Sequence, residues 1–559
     1  MPVLRAWTDR ASVGSWTVPA SVLLVAAVSP FERPLPGAVF GFTLTTVELS
    51  IVLALIAGAV AAMREPATVR WLTPITLPLL ALLACMAVSS VAAPEFRGNA
   101  FKFVGRFAAA ILMFALVVNA ATTWRLTRQI VAVLVAAGAV VGAIAVLELA
   151  QVPAVLDTLK PFRPGFHVVG GQLRATATLF YPTITSMYLE VVFALGLMCI
   201  ASSRLAFAAL IVVGAGIIAT FTRAGLIAMS ISLAWYAAAV YFKRRRWDGE
   251  HTRIVALATI LITLVLLSRS PQMLVTRMSN ELSQDWYGAS YQVPDRLALQ
   301  SGSFNDIPVT LSNRGGITWQ SAAEPVFALS YHWLTVDTEQ VLLYDGLRTP
   351  FAQPVEPGAD VQLQARVRAP GYPGSYVLVW DVVQEHRTWL SLEGVNPGRT
   401  LVTVHGDAVT PPLPTHGRMP SGTVRIPRSL LWRTALDISR ERPWLGIGPD
   451  NFRFIYGPRV GLTSWDTRVH TNNTYIEVLV GTGLVGFAPL LWLLIAAAWS
   501  TIGRLAAANA DTVRFVAATT SAGLAITAHG MVDSFLTFTS TYVAFAIAAG
   551  LHYSHAHRV

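Results

Sequence analysis

Arginine, lysine and histidine recur at the ends of apolar segments in this chain, where water gives way to hydrocarbon. Arg174 lies in "LRATATLFYP" and Arg223 in "TFTRAGLIAM". Lys102 and Arg106 stand four positions apart, on one side of any helix that holds them. His470 opens "HTNNTYIEVLVGTGLVG", with Asn472, Asn473 and Tyr475 directly behind it, and "AHGMVDSF" carries His529 and Asp533. Ionisable groups at membrane depth are costly and point to function by default. A guanidinium is a planar fork of fixed charge that matches phosphate oxygens. An imidazole titrates near neutrality and suits proton transfer. The set fits a diphosphate held by cations while a histidine moves a proton. Each member also has a plainer role: Lys102 and Arg106 can snorkel to headgroups, Arg223 can anchor at the interface, and His470 alone decides nothing.

Other signals fail on context. "GTGLVG", Gly481 to Gly486, has the letters of a dinucleotide fingerprint but follows no strand and sits in an apolar segment. Its glycines are expected to permit close helix packing. No two aspartates stand two residues apart, and neither H-E-x-x-H nor G-x-S-x-G occurs. Cys85 and Cys199 lie in apolar runs, away from any disulfide framework or zinc site. His552, His555 and His557 read as a solvated tail. The expectation is a mechanism without metal or cofactor.

The elements that must position these residues are mostly membrane helices. Of 559 residues 54% are hydrophobic and 13% charged, against about 25% charged in a soluble domain. Apolar runs of about 20 residues, the length that crosses a bilayer, recur along the chain. About twelve spans are expected, near 14–30, 39–62, 72–93, 102–121, 129–150, 181–201, 204–221, 223–242, 253–269, 474–499, 512–531 and 534–552. The first run lacks a small-residue cleavage site and reads as a retained span. One set of alternate loops carries Arg5, Arg10, Arg64, Arg70, Arg125, Arg128, Arg204, Lys243 to Arg246, Arg253, Arg504 and Arg514; the other is sparse in charge. The positive-inside bias then places both termini in the cytoplasm. The same bias explains the net charge of +10 without nucleic acid.

Between the ninth and tenth spans the character changes. Residues 305–392 alternate as short strands, among them "DIPVTLSN", "VFALSYHWLTV", "DVQLQARVRA", "SYVLVWDVVQE" and "TWLSLEG", with turn signals between them. This predicts an extracytoplasmic all-β insertion at 296–405, resembling immunoglobulin-like sandwich modules of bacterial surface enzymes. A Pro-rich linker follows. Around Ser429 to Ser439, Leu430, Leu431, Ala435, Leu436 and Ile438 recur at helical spacing and predict a helix on the outer membrane surface. The organisation is thus 1–270 with nine spans, 296–405, a loop region 406–472, and 473–559 with three spans.

"RTALDISRERPWLGIGPDNFRFIYG" followed by "HTNNTYIEVLVGTGLVGF" resembles the signature of the O-antigen ligase and O-antigen polymerase superfamily of bacterial membrane glycosyltransferases. That signature runs W-x-x-A-L, P-x-x-G-x-G-x-x-x-F, a stretch with His and Asn, then Y-L-E and G-x-x-G. "TRAG" at 222–225 and "LRATATLFYP" at 173–182 add to it. The resemblance implies transfer of a glycan from an undecaprenyl diphosphate carrier to a glycan, lipid or protein acceptor at the outer face of the cytoplasmic membrane. It implies Arg174 and Arg223 on the diphosphate and His470 on the acceptor hydroxyl. Lys102, Arg106, Asn472, Asn473 and Tyr475, grouped at the same membrane face, are the expected substrate-binding residues. Many members read H-x-H-N where this chain has His470-Thr471-Asn472-Asn473, so the base is either His470 or elsewhere. Ligase, polymerase and protein O-glycosylation stay open. A polysaccharide or lipid-linked-sugar transporter or flippase is the rival class, with Glu48, Glu148 and Glu190 as its in-span acids. A surface binder working through the β insertion is the third.

Overall fold

The computed structural model describes residues 14–39, 42–66, 69–162, 167–169, 172–268, 287–322, 326–385, 388–415, 428–462, 465–510, 512–534 and 536–554. A helix occupies each apolar run: Gly14–Val28, Thr46–Arg64, Thr76–Ala92, Arg97–Ala120, Trp124–Leu149, Pro182–Gly196, Arg204–Ala219, Arg223–Arg244, Gly249–Leu267, Thr474–Ala507, Val513–His529 and Thr539–His552. Among the described residues, 7 helices are long and apolar enough to cross a membrane. Length and composition thus mark seven of the twelve expected spans. Thr76–Ala92 and Arg204–Ala219 are apolar but shorter. Val513–His529 and Thr539–His552 have 17 and 14 residues, and most of their side chains are buried against neighbouring helices. Helices that pack on protein need less outward apolar surface than helices facing lipid. Leu53, Ile56, Trp492, Ile495 and Trp499 point outward instead, as lipid contact demands.

Val513–His529 lies against both Arg223–Arg244 and Pro182–Gly196, and Trp124–Leu149 packs on Arg204–Ala219. At the end of this bundle opposite His529, buried Glu250 accepts from Tyr236 Oη (2.6 Å), Arg244 (2.9 Å) and Arg514 Nε (2.7 Å), pinning three helices. His552 is not in a solvated tail: its ring is buried and meets Thr519 Oγ1 at 2.9 Å. His555 and His557 lie outside the described residues.

The helix Thr474–Ala507 breaks inside "GTGLVG". Gly483 has φ 62° and ψ −164°, which interrupts the helical hydrogen bonds. The released groups pair with the chain Pro443–Gly448. Ile447 and Gly448 N–H donate to the carbonyls of Val480 (3.1 Å) and Gly481 (2.9 Å), while Leu484 and Val485 N–H donate to those of Pro443 (2.7 Å) and Trp444 (3.1 Å). The approach is backbone to backbone. A Cβ on Gly446 would stand 2.4 Å from the Val480 carbonyl oxygen, and one on Gly483 equally close to Trp444. The glycines thus allow a close approach, but by a loop and with a kink, rather than a plain helix crossing.

The insertion folds as two sheets over one core. In the larger, strands Thr349–Pro350, Phe327–Thr335, Gly374–Gln384, Gly398–His405 and Arg296–Gln300 are neighbours, the last pair parallel; in the smaller, Asp360–Arg368, Phe304–Asn313 and Ala289–Gln292. Trp319, Trp333 and Trp380 lie in the core between them. Strands at 289–292 and 398–405 extend the sequence reading, and "TWLSLEG" departs from it. Only Thr388–Trp389 is strand; Leu390–Glu393 turns as a 3-10 helix whose Ser391 N–H donates to the buried Asp381 carboxylate. The helix predicted near Ser429 to Ser439 spans Arg428–Glu441 and packs its Leu431, Ala435 and Ile438 on the protein, against Val480, Ile447 and Phe452.

Candidate functional site

The polar start of the kinked helix divides into structural and unassigned groups. Asn473 is its N-cap, accepting from Tyr475 and Ile476 N–H at 3.0 Å each, and its Nδ2 donates to the Met531 carbonyl at 2.8 Å. Thr474 donates to the carbonyls of Gly530 and Asp533, and Tyr475 Oη to that of Thr527. These bonds stitch the helix start to the end of Val513–His529. Asn472 stands at φ 51°, a left-handed position that asparagine tolerates better than most residues.

His470 is different: it is 8% exposed and faces two carboxylates. Its Nδ1 lies 3.4 Å from Asp450 Oδ1 and 3.8 Å from Glu477 Oε1, ion-pair contacts rather than hydrogen bonds. Glu477, in the first turn of the kinked helix, uses its other oxygen to accept from Thr471 N–H at 2.9 Å. Asp450 is held at φ 64°, just beyond the glycines that dock on the kink. Its Oδ2 accepts from Asn99 Nδ2 and Arg453 Nε, both at 3.1 Å, and Asn99 Oδ1 accepts from Arg453 at 2.8 Å. Burial alone would depress the His470 pKa; Glu477, aided by Asp450 and opposed by Arg453, overcomes that and raises it above its ordinary 6.5. Asp450, His470 and Glu477 offer ligating atoms within 4.8 Å of one another, a set that could also hold a divalent cation. A cleft with room for about one water adjoins Asp450, Glu477, Phe103 and Thr474.

Arg174 ends the short strand Gln172–Arg174 and is buried. Its Nε donates to the Thr220 carbonyl (2.9 Å) and its Nη2 to Thr222 Oγ1 (3.1 Å), beside Arg223 at the start of its helix. Glu148 fixes the following backbone, accepting from Thr176 and Ala177 N–H at 3.1 and 2.7 Å. The structure thus brings Arg174 and the Arg223 helix start together. Asp466 and, more weakly, Tyr181 of the "LRATATLFYP" segment raise the pKa of Arg468, two residues before His470. Lys102 and Arg106 are exposed on Arg97–Ala120, the helix whose first turn supplies Asn99. His529 Nδ1 meets both Glu190 oxygens, at 2.9 and 3.0 Å, in the helix core.

Residues 394–491 match the family model described as O-antigen ligase. The chain carries an O-antigen ligase domain. A comparison with curated proteins returns no match. The ligase domain takes in Asp450, His470 and Glu477 and leaves Lys102, Arg106, Arg174 and Arg223 in the preceding helices. With its apolar helices the chain is a multi-pass membrane protein that carries this domain. Asp450 and Glu477 escaped the sequence reading although both lie within its motif. The one signal was Glu477 seven residues after His470, two turns apart on a helix face, had the helix begun earlier.

Proposed function

We propose that this protein transfers a glycan from an undecaprenyl diphosphate carrier to an acceptor hydroxyl at the outer face of the bacterial cytoplasmic membrane. His470 Nε2 takes the acceptor proton, the acceptor oxygen bonds to the anomeric carbon, and the bond from that carbon to the diphosphate oxygen breaks. The electron pair leaves with undecaprenyl diphosphate, and the displacement inverts the anomeric centre. Arg174 and Arg223 meet the charge that develops on the leaving group. Lys102 and Arg106 attract the diphosphate headgroup, and the reaction runs on protein groups without a cofactor. The observation that carries this reading is a histidine within the ligase domain buried against carboxylates, the setting of a general base.

The transporter reading has less support. Glu48 closes a capping box with Thr45, Glu148 holds the backbone after Arg174, and Glu190 is engaged by Ser186 and His529. All three acids have structural partners. The test is the lipid-linked glycan profile of a strain lacking the protein. Accumulated lipid-linked polymer marks a ligase and accumulated single repeat units a polymerase; a profile equal to that of the parent strain contradicts the proposal.

A further inference from the structure

We propose that Asp450 and Glu477 are positioning residues that face Nδ1 of His470 from two sides, direct its Nε2 to the acceptor, and hold the imidazolium formed when the acceptor proton is taken. The inference rests on His470 being the base.

Each carboxylate has one oxygen engaged: Asp450 Oδ2 by Asn99 and Arg453, Glu477 Oε2 by Thr471 N–H. The remaining Asp450 Oδ1 and Glu477 Oε1, like His470 Nδ1, are buried without a hydrogen-bond partner. Buried polar atoms without partners are costly, more so when charged. A neutral ring has a single Nδ1–H, which can satisfy one carboxylate and leaves the other uncompensated. An imidazolium attracts both. The surroundings therefore favour the ring more after it has accepted a proton at Nε2 than before, which is stabilisation directed at the transition state. The Nδ1 proton stays in place, and no proton passes to either carboxylate.

The two acids reach the ring from different elements. Glu477 belongs to the helix that follows His470 and closes the turn at Thr471. Asp450 belongs to the loop docked on the kink, and through Asn99 it is tied to the helix bearing Lys102 and Arg106. Arg453 opposes the charge on the ring, and it does so while bonded to Asp450. The ring thus lies between the helix that follows it and the loop that Asn99 ties to the helix Arg97–Ala120.

The test uses the full chain in proteoliposomes with a polyprenyl diphosphate saccharide donor, comparing Glu477→Gln, Asp450→Asn and His470→Ala. Each amide variant is expected to lower kcat about 10²-fold or more with donor KM within about threefold. Its acid limb should shift to lower pH, and Glu477→Asp should restore part of that limb where Gln does not. In the His470→Ala background the amide substitutions should add nothing. Wild-type kcat and pH profile in both amide variants, with His470→Ala inactive, overturn the inference and leave the proposed function standing. Full activity of His470→Ala overturns both. A divalent ion held one per chain, whose removal abolishes activity, reassigns the three side chains to a metal centre and overturns the inference. If one amide variant fails to insert, the other carries the same comparison.

Discussion

Asn99 and Asp450 are joined at 3.1 Å although 351 positions separate them in sequence. Asn99 donates to both the side chain and the backbone carbonyl of Asp450 and accepts from Arg453, and Phe96 stacks on Phe454 alongside. The first turn of one membrane helix is thereby fixed to the loop that carries one carboxylate of the site. Asn99→Ala should cost about 1–3 kcal/mol through the partners it leaves unmade. It should also lower kcat more than donor KM, which single-turnover assays in liposomes measure. Unchanged kcat would disconnect the two elements.

The kink makes a second prediction. Gly483→Ala places a Cβ against the Trp444 backbone at a positive φ, a strain of about 1–3 kcal/mol before the clash is counted. Thermal unfolding in detergent should fall by several degrees, with loss of transfer. Gly503→Ala is the control: nothing stands within 4 Å of its Cβ, and its stability should hold or rise.

At the opposite end, Glu250→Ala removes one shared partner of Arg244, Arg514 and Tyr236 at once, and Arg244 keeps Asp248 and the Ala510 carbonyl. Breaking such a buried network costs about 3–5 kcal/mol. The variant should lose stability in detergent while the kinetic constants of the folded fraction stay at wild type.

The pH dependence follows from His470. A base must be neutral, and the ring's pKa stands above 6.5, so the acid limb of kcat should lie above that value. For stability the sign is opposite. A group whose folded pKa is raised stabilises the fold below its unfolded value, and that contribution fades as pH rises through the folded pKa. His470→Ala should remove both the acid limb and this slope in unfolding measurements taken across pH.

Much of this was legible in the residues themselves. Apolar runs located the long helices among the described residues, because hydrocarbon selects composition and length together. The alternation of "DVQLQARVRA" located a strand at Asp360–Arg368, because one face is buried and the other wet. The spacing of Leu431, Ala435 and Ile438 located a helix but not what it packs on, since an apolar face is alike against lipid or protein. His470 stood out as an ionisable residue at a membrane edge. Asp450 did not, because its meaning depends on Asn99 and on a kink that frees backbone groups for the loop before it. Asn473 and Tyr475, expected to bind substrate, are seen to hydrogen-bond backbone carbonyls, a role that short sequence patterns do not separate from binding. "TWLSLEG" alternates like a strand yet turns at Leu390, where a buried Asp381 captures the backbone.

In the proposed transfer off a lipid diphosphate, His470 takes the proton from the acceptor. The most direct measurement is release of polyprenyl diphosphate from a defined lipid-linked saccharide, in proteoliposomes, by wild type and His470→Ala at equal insertion. Wild type is expected to show acceptor-dependent release and the variant a loss of about 10²–10⁴-fold, the contribution of a general base. Release by His470→Ala at the wild-type rate would contradict it.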